Sequence, residues 1–287
     1  MPQGMQHQPA DITAAAAHTP PERIRLVAVD LDGTLLTDSK RVSQGTVDAL
    51  KCLPDRDVRV VLASARPPRS VRHIYKELGL QTLQVNYNGA MIWDEPAHRV
   101  VHHQPMQSAL VRSIIDLARD MFDEVSVSCE VLDKWYTDRA EQPYQTQTGL
   151  IFRPDRVAPL DAFCNEPITK LLLLGEPMIV SRLEPLLIEG FPEVSIVRSD
   201  GELLQIMDRR ASKGNALKLV AAHYGVPLSE VMAIGDEVND VSMLKAVGAA
   251  IAMDNAHPAV KRVAHWVAPS NNDHGVHAAL KRYGLCS

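Results

Sequence analysis

The chain has 287 residues, 46% hydrophobic and 23% charged, with Lys+Arg 30 against Asp+Glu 35 and a formal net charge of -5. These fractions suit an ordinary globular protein of roughly two domains, and they exclude collagen-like, disulfide-scaffold and wholly disordered chains. With no basic excess, neither a nucleic acid nor a membrane surface is indicated as a partner, although a small anion still fits one local basic pocket.

Residues 1–22, MPQGMQHQPADITAAAAHTPPE, read as a disordered tail. They lack a basic start, and their run of four alanines is too short for the apolar core of a signal peptide. No apolar run approaches the ~18 residues that span a bilayer. Cys52, Cys129, Cys164 and Cys286 lie far apart with no CxxC pair, which suits mostly buried free thiols in a cytoplasmic protein. Oligomeric state has no signature here.

Residues 24–29, IRLVAV, are almost continuously apolar and break at Asp30-Leu31-Asp32-Gly33. That is the pattern of a strand buried on both faces of a parallel sheet. Ser43 caps a predicted helix with Val47, Leu50 and Leu53 inward and Pro54 at its end. A second buried strand over 58–63, a helix over 68–78 and a strand over 83–85 continue the alternation, which favours an α/β parallel sheet.

From about 87 to 208 the rhythm changes. Strands pair, 91–93 with 99–103 and 124–131 with 134–138, and helical periodicity appears at 108–121 and 178–188. Further strands are expected at 168–174, 194–198 and 203–207, so the segment predicts an α+β module with an antiparallel sheet. From Ser212 the first rhythm resumes, with helices over 212–224, 238–247, 257–263 and 273–283 and strands over 231–234, 249–252 and 265–267. The simplest account is a discontinuous sheet domain, 23–86 and 209–287, whose halves flank an inserted domain, 87–208.

Chemistry concentrates at the ends of the buried strands. Asp30 and Asp32 are two apart, so on an extended strand both carboxylates face one side, at the carboxyl end where open α/β sheets bind ligands. Two crowded carboxylates are costly unless one holds a proton or a cation lies between them. A surface turn accounts for one Asp and the Gly, not for a strand ending in two acids. A second cluster, Gly235-Asp236-Glu237-Val238-Asn239-Asp240, follows the strand at 231–234. One Asp suffices to cap a helix, and this stretch holds three acids and an Asn. If the two strands are neighbours, their oxygens surround one point and suit Mg²⁺, which favours oxygen ligands and phosphate. Donors for phosphate come from Ala63-Ser64-Ala65-Arg66, which opens a helix, and from Lys213 in Ser212-Lys213-Gly214.

These four segments, in this order, resemble the haloacid dehalogenase-like (HAD) superfamily of phosphohydrolases, and more narrowly its Cof-type branch, whose C2B cap is inserted between the second and third motifs. The resemblance rests on Asp-Leu-Asp-Gly-Thr-Leu at 30–35, Ser64, Lys213 and Gly-Asp-Glu-Val-Asn-Asp at 235–240, with Asn88-Gly89-Ala90 also similar. It covers the chain from about residue 24 onward, and the tail has no counterpart. It implies a Rossmann-like doubly wound parallel sheet core with an inserted α+β cap domain. It also implies a Mg²⁺-dependent phosphatase hydrolysing small phosphomonoesters, sugar phosphates or phosphorylated cofactors, through an aspartyl-phosphate.

Carried over residue by residue, the resemblance makes Asp30 the nucleophile and Asp32 the general acid and then base. It gives Mg²⁺ to Asp30, the Asp32 carbonyl and Asp236, with Asp240 supporting from behind. Phosphate falls to Ser64, Lys213, Asn239 and the N–H groups near Leu31 and Ala65. In this scheme Asp32 sits where its protonated form survives. The second motif departs from the branch, since Ala65 stands where a Gly usually precedes the Arg. Its methyl is tolerable if its N–H donates from an ordinary backbone conformation. Arg66 orients the loop or contacts substrate. For the cap, Arg139, Tyr144, His102 and His103 are candidate contacts, each reading first as an ordinary exposed or satisfied side chain.

Other readings remain. A phosphomutase uses a similarly capped site, and a dehalogenase has no role for Asp32. A signalling module would accept phosphate without turnover, but receiver domains are single domains without an inserted lid. A binding protein with a retired site conflicts with a complete set of chemical residues.

Overall fold

The structure is a computed structural model that describes residues 21–139, 149 and 151–287. The predicted tail, up to residue 20, and Tyr144 lie outside the described residues.

The central sheet begins with β1 (Leu26–Val29), whose four residues are all buried. After α1 (Gln44–Lys51), β2 (Arg59–Leu62) pairs parallel to β1. Ser43 is the extended N-cap of α1, and Leu53 is buried ahead of Pro54 as expected. Next come α2 (Pro68–Glu77), with proline preset at its first position, and β3 (Leu83–Asn86), which meets β2 through the Ala63–Val85 bridge.

On the far side of the insertion, α5 (Lys213–His223) leads to β12 (Val231–Gly235), which pairs parallel to β1 with Leu26 opposite Val231. β13 (Ala249–Met253) and β14 (Trp266–Ala268) extend that side, giving the order β14-β13-β12-β1-β2. The chain thus winds outward in both directions from β1 and β12. Such a switch point opens a crevice at the strands' carboxyl ends.

The inserted segment carries a six-stranded sheet ordered β10-β11-β9-β6-β7-β8. Its strands are β6 (Ser126–Val131), β7 (Lys134–Thr137), β8 (Arg156–Val157), β9 (Lys170–Leu174), β10 (Val194–Asp200) and β11 (Leu203–Asp208). All pairings are antiparallel except β7 with β8. Helices α3 (Ser108–Met121) and α4 (Pro177–Gly190) pack on one face, against Val127, Cys129, Leu171, Leu173, Leu204 and Ile206. Strand alternation turns Glu130, Lys170 and Gln205 to the other face.

Three expectations are corrected. The hairpin of β4 (Met91–Asp94) and β5 (Arg99–His103) bonds to β3, not to the six-stranded sheet. Periodicity identifies a hairpin but not the edge it joins. The helix expected over 238–247 is a 3-10 turn, Val238–Asp240, followed by α6 (Val241–Leu244), because the Asp240 carboxylate caps back onto the preceding backbone. Of the four free cysteines only Cys129 and Cys164 are buried, while Cys52 is exposed. Two short helices, α7 (Pro258–Lys261) and α8 (Gly275–Arg282), complete the chain. No helix among the described residues is long and apolar enough to cross a membrane.

Candidate active site

The ends of β1 and β12 bring the two acidic segments together. Asp30 follows β1 and Asp236 follows β12, and the backbone N–H of Asp30 donates to Ile234 O at 3.0 Å. Each of Asp30, Asp236 and Asp240 is buried, and each has a carboxylate oxygen within 4.8 Å of the others'. Gly33 makes the approach possible. Its φ is +80°, and a Cβ there would collide with the Asp236 carboxylate.

Lys213, the first residue of α5, is completely buried and ties the cluster together. Its Nζ lies 2.5 Å from Asp30 Oδ1 and 2.6 Å from Asp240 Oδ1. Ser212 caps α5 by accepting from Asn215 N at 3.1 Å. Gly89 lets the helix start this deep, because a Cβ there would strike the Ser212 carbonyl. Burial would pull the Lys213 ammonium down, but Asp240 and Asp30 more than offset it and hold it well above the usual lysine range.

The acids divide their work. Asp240 is engaged on both oxygens, Oδ1 by Lys213 and Oδ2 by the N–H groups of Asp236 and Glu237 at 3.0 Å each. Asp236 accepts from Thr34 Oγ1 on Oδ1 at 2.7 Å. Asp30 takes Lys213 on Oδ1, so the Oδ2 atoms of Asp30 and Asp236 remain open to a ligand. Burial pushes Asp30 well above the carboxylate range against the pull of Lys213, with Asp240 and Asp236 adding to the rise. Burial likewise raises Asp236 to about 6, with Thr34 opposing and Asp240 adding. Three carboxylates facing one ammonium have an excess of negative charge. A divalent cation between the open oxygens of Asp30 and Asp236 would remove that excess, so the residues fit such an ion.

The second strand end supplies polar groups. Ser64 is buried, and its Oγ accepts from Arg66 N at 3.1 Å. Ala65 does not have a positive φ, so its methyl imposes no backbone strain. Asn88 N donates to Ser64 O at 3.0 Å, and Asn239 Nδ2 donates to Asn88 Oδ1 at 2.9 Å. Asn239 Oδ1 is buried without a hydrogen-bond partner. Leu31 is fully buried behind the loop.

Asp32 departs from expectation. Its carboxylate is gripped by Arg66 Nε at 2.7 Å and Nη2 at 2.6 Å, and by Lys40 Nζ at 2.8 Å. Burial alone would raise Asp32, but Arg66 and Lys40 outweigh it and hold the carboxyl below its usual range. That grip favours the ionised form of Asp32.

Of the cap candidates from the sequence, Arg139, His102 and His103 are among the described residues. Arg139 donates to the carbonyls of Glu124 and Asp123, and His103 Nε2 meets Thr169 Oγ1 at 2.8 Å. His102 is half-buried on β5. Arg69, Tyr87, Glu130 and Lys170 meet at the seam between cap and core, and no local signal in the sequence marks them. Arg69 Nη2 grips Glu130 at 2.7 and 2.8 Å, and the single proton of Tyr87 Oη is shared between Leu132 O at 2.7 Å and Glu130 Oε2 at 3.0 Å.

A family model for haloacid dehalogenase-like hydrolases matches residues 27–280. The chain belongs to that family. Phosphatase YwpJ of Bacillus subtilis is 29% identical over 288 residues, covering 90% of this chain and 99% of its own. The 5-amino-6-(5-phospho-D-ribitylamino)uracil phosphatase YitU of the same organism is 29% identical over 264 residues, covering 90% and 97%. A crystal structure of a haloacid dehalogenase-like hydrolase from Bacteroides thetaiotaomicron superposes with a TM-score of 0.81 at 25% identity, covering 91% of this chain and 100% of that one. The family's sheet core with a cap is the architecture found here.

Proposed function

We propose that this haloacid dehalogenase-like hydrolase is a Mg²⁺-dependent phosphatase that hydrolyses small phosphomonoesters through a phosphorylated Asp30. The observation that carries the reading is the buried contact of Lys213 with both Asp30, 183 positions away, and Asp240, beside an open face of Asp236. Relatives named phosphatases support a small phosphorylated metabolite as the substrate.

Phosphoryl transfer is mostly positioning and charge neutralisation. One carboxylate oxygen of Asp30 attacks phosphorus while the other faces the cation, the bond from phosphorus to the alcohol oxygen breaks, and Asp32 gives that oxygen a proton. The Asp32 carboxylate then takes a proton from water, which attacks the acyl phosphate, frees inorganic phosphate and restores Asp30. Lys213 offsets negative charge beside the nucleophile. Ser64, Asn239 and the N–H groups near Leu31 and Ala65 hold phosphate oxygens. Asp30, Asp236 and the Asp32 carbonyl, with Asp240 behind them, would hold Mg²⁺, which when bound would supply neutralisation and alignment.

Asp32 must gain a proton first. A phosphate dianion beside Ser64 competes for Arg66, and loosening that grip lets Asp32 protonate. Phosphate release from an aryl phosphate with Mg²⁺ tests the scheme. Wild type turns it over, and equal release by Asp30→Asn would sink the assignment.

A further inference from the structure

Lys170 opens β9 on the face of the cap sheet turned to the core, and it is only 6% exposed. Its Nζ donates to Gln205 Oε1 at 2.8 Å. The same nitrogen lies 3.5 Å from the carbonyl of Ala65, in the loop that follows Ser64. Across the ladder it faces Glu130, but that carboxylate is already gripped by Arg69 and Tyr87. The ammonium also lies over the Tyr87 ring, 5.2 Å from its centroid, and of its three donors only the one to Gln205 makes a short hydrogen bond. Burial without a dedicated carboxylate is costly, and it lowers Lys170 to about 8, with Glu130 only partly opposing. An apolar side chain would fill the place at less cost. A cation kept in such a position is best accounted for by an acceptor that arrives with the substrate.

Charge narrows the choice of acceptor. Around the seam Lys170, Arg69 and Arg72 are balanced by Glu130, Asp133 and Glu95. No positive excess remains for a second phosphate. A neutral, hydroxylated group suits a lone ammonium beside a carboxamide.

We propose that Lys170 is a specificity residue that donates a hydrogen bond to a hydroxyl of the leaving group, so that the site prefers polyol phosphomonoesters to apolar ones. The proposal rests on the phosphatase reading and names its substrate class. Binding measured without turnover separates the two.

In an Asp30→Asn chain with Mg²⁺, calorimetric titrations with glucose 6-phosphate, sorbitol 6-phosphate and phenyl phosphate are compared before and after Lys170→Met. The expected result is about a tenfold loss for the two polyol esters and less than about threefold for the phenyl ester, as for a lost hydrogen bond to a charged group. In the active chain, the ratio of kcat/KM for polyol over phenyl ester falls by a similar factor, and Lys170→Arg recovers part of it. Equal losses for all three ligands, no loss for any, or a parent chain without preference for the polyol esters would overturn the proposal. Failure of the wild type to release phosphate from the phenyl ester counts instead against the phosphatase reading.

Discussion

The two walls of the crevice are built on different plans. On the core side, the acids come from the ends of adjacent parallel strands, and each of the three clustered ones is held by a partner from another segment: Lys213 holds Asp30 and Asp240, and Thr34 holds Asp236. On the cap side, Glu130 and Lys170 are neighbours across an antiparallel ladder, and their partners Arg69, Tyr87 and Ala65 belong to the other wall. The core wall is complete within one sheet. The cap wall is complete only while the walls touch, which suits invariant chemistry on one side and selection of the leaving group on the other.

The contrast can be broken by substitution, and the core should yield the largest effects. Asp30→Asn is expected to cut phosphate release by at least about 10³-fold while leaving the fold intact, by stopped assay and circular dichroism. Lys213→Met should cost about 10²-fold or more in kcat. It also strands two buried carboxylates, so denaturant titration should show a loss of about 3–5 kcal/mol. A neutral result in either assay would mean that the core wall is not locked as described.

A pH experiment sharpens the comparison. The Asp236 carboxyl rises from 3.8 to about 6 on folding, so the folded chain holds this proton longer than the unfolded one. That contribution is fully present below pH 3.8 and is lost as pH climbs through about 6, at most about 3 kcal/mol. Asp30, also raised, acts in the same direction. Scanning calorimetry of the metal-free chain should therefore show this stabilisation fading between pH 4 and 7, and saturating Mg²⁺ at pH 7 should restore it. The smallest effect is expected at Asp32. Arg66→Gln removes its main partner, so the Asp32 carboxyl rises and the alkaline limb of the kcat/KM profile, set by the general acid, should move to higher pH, and an unmoved limb would show that Arg66 does not govern Asp32.

The core wall was readable because buried apolar runs ending in acids are rare without a reason, and Asp30, Asp236 and Asp240 lie where two such runs stop. Lys213 could be placed by its position at a helix start, and Ser64 by its position just past a buried strand. The cap wall could not be read that way. Lys170 begins the run KLLLL, which locally says only that a strand is buried. Its meaning comes from Ala65, 105 positions earlier, and from the cross-strand neighbour Glu130. Likewise Arg66 gave no hint that it would grip Asp32, because the pairing depends on how the loop after β2 folds over the end of β1. The hairpin after β3 was visible as a hairpin, but its choice of sheet is a tertiary decision.

The placement of β1 beside β12 has a consequence for how the protein is made. Leu26 waits for Val231 as its neighbour, so during synthesis the growing chain carries β1 with one naked side until nearly all of the polypeptide has left the ribosome. Such late, long-range closure is slow and invites mispairing, and it makes any prematurely terminated product both inert and prone to stick.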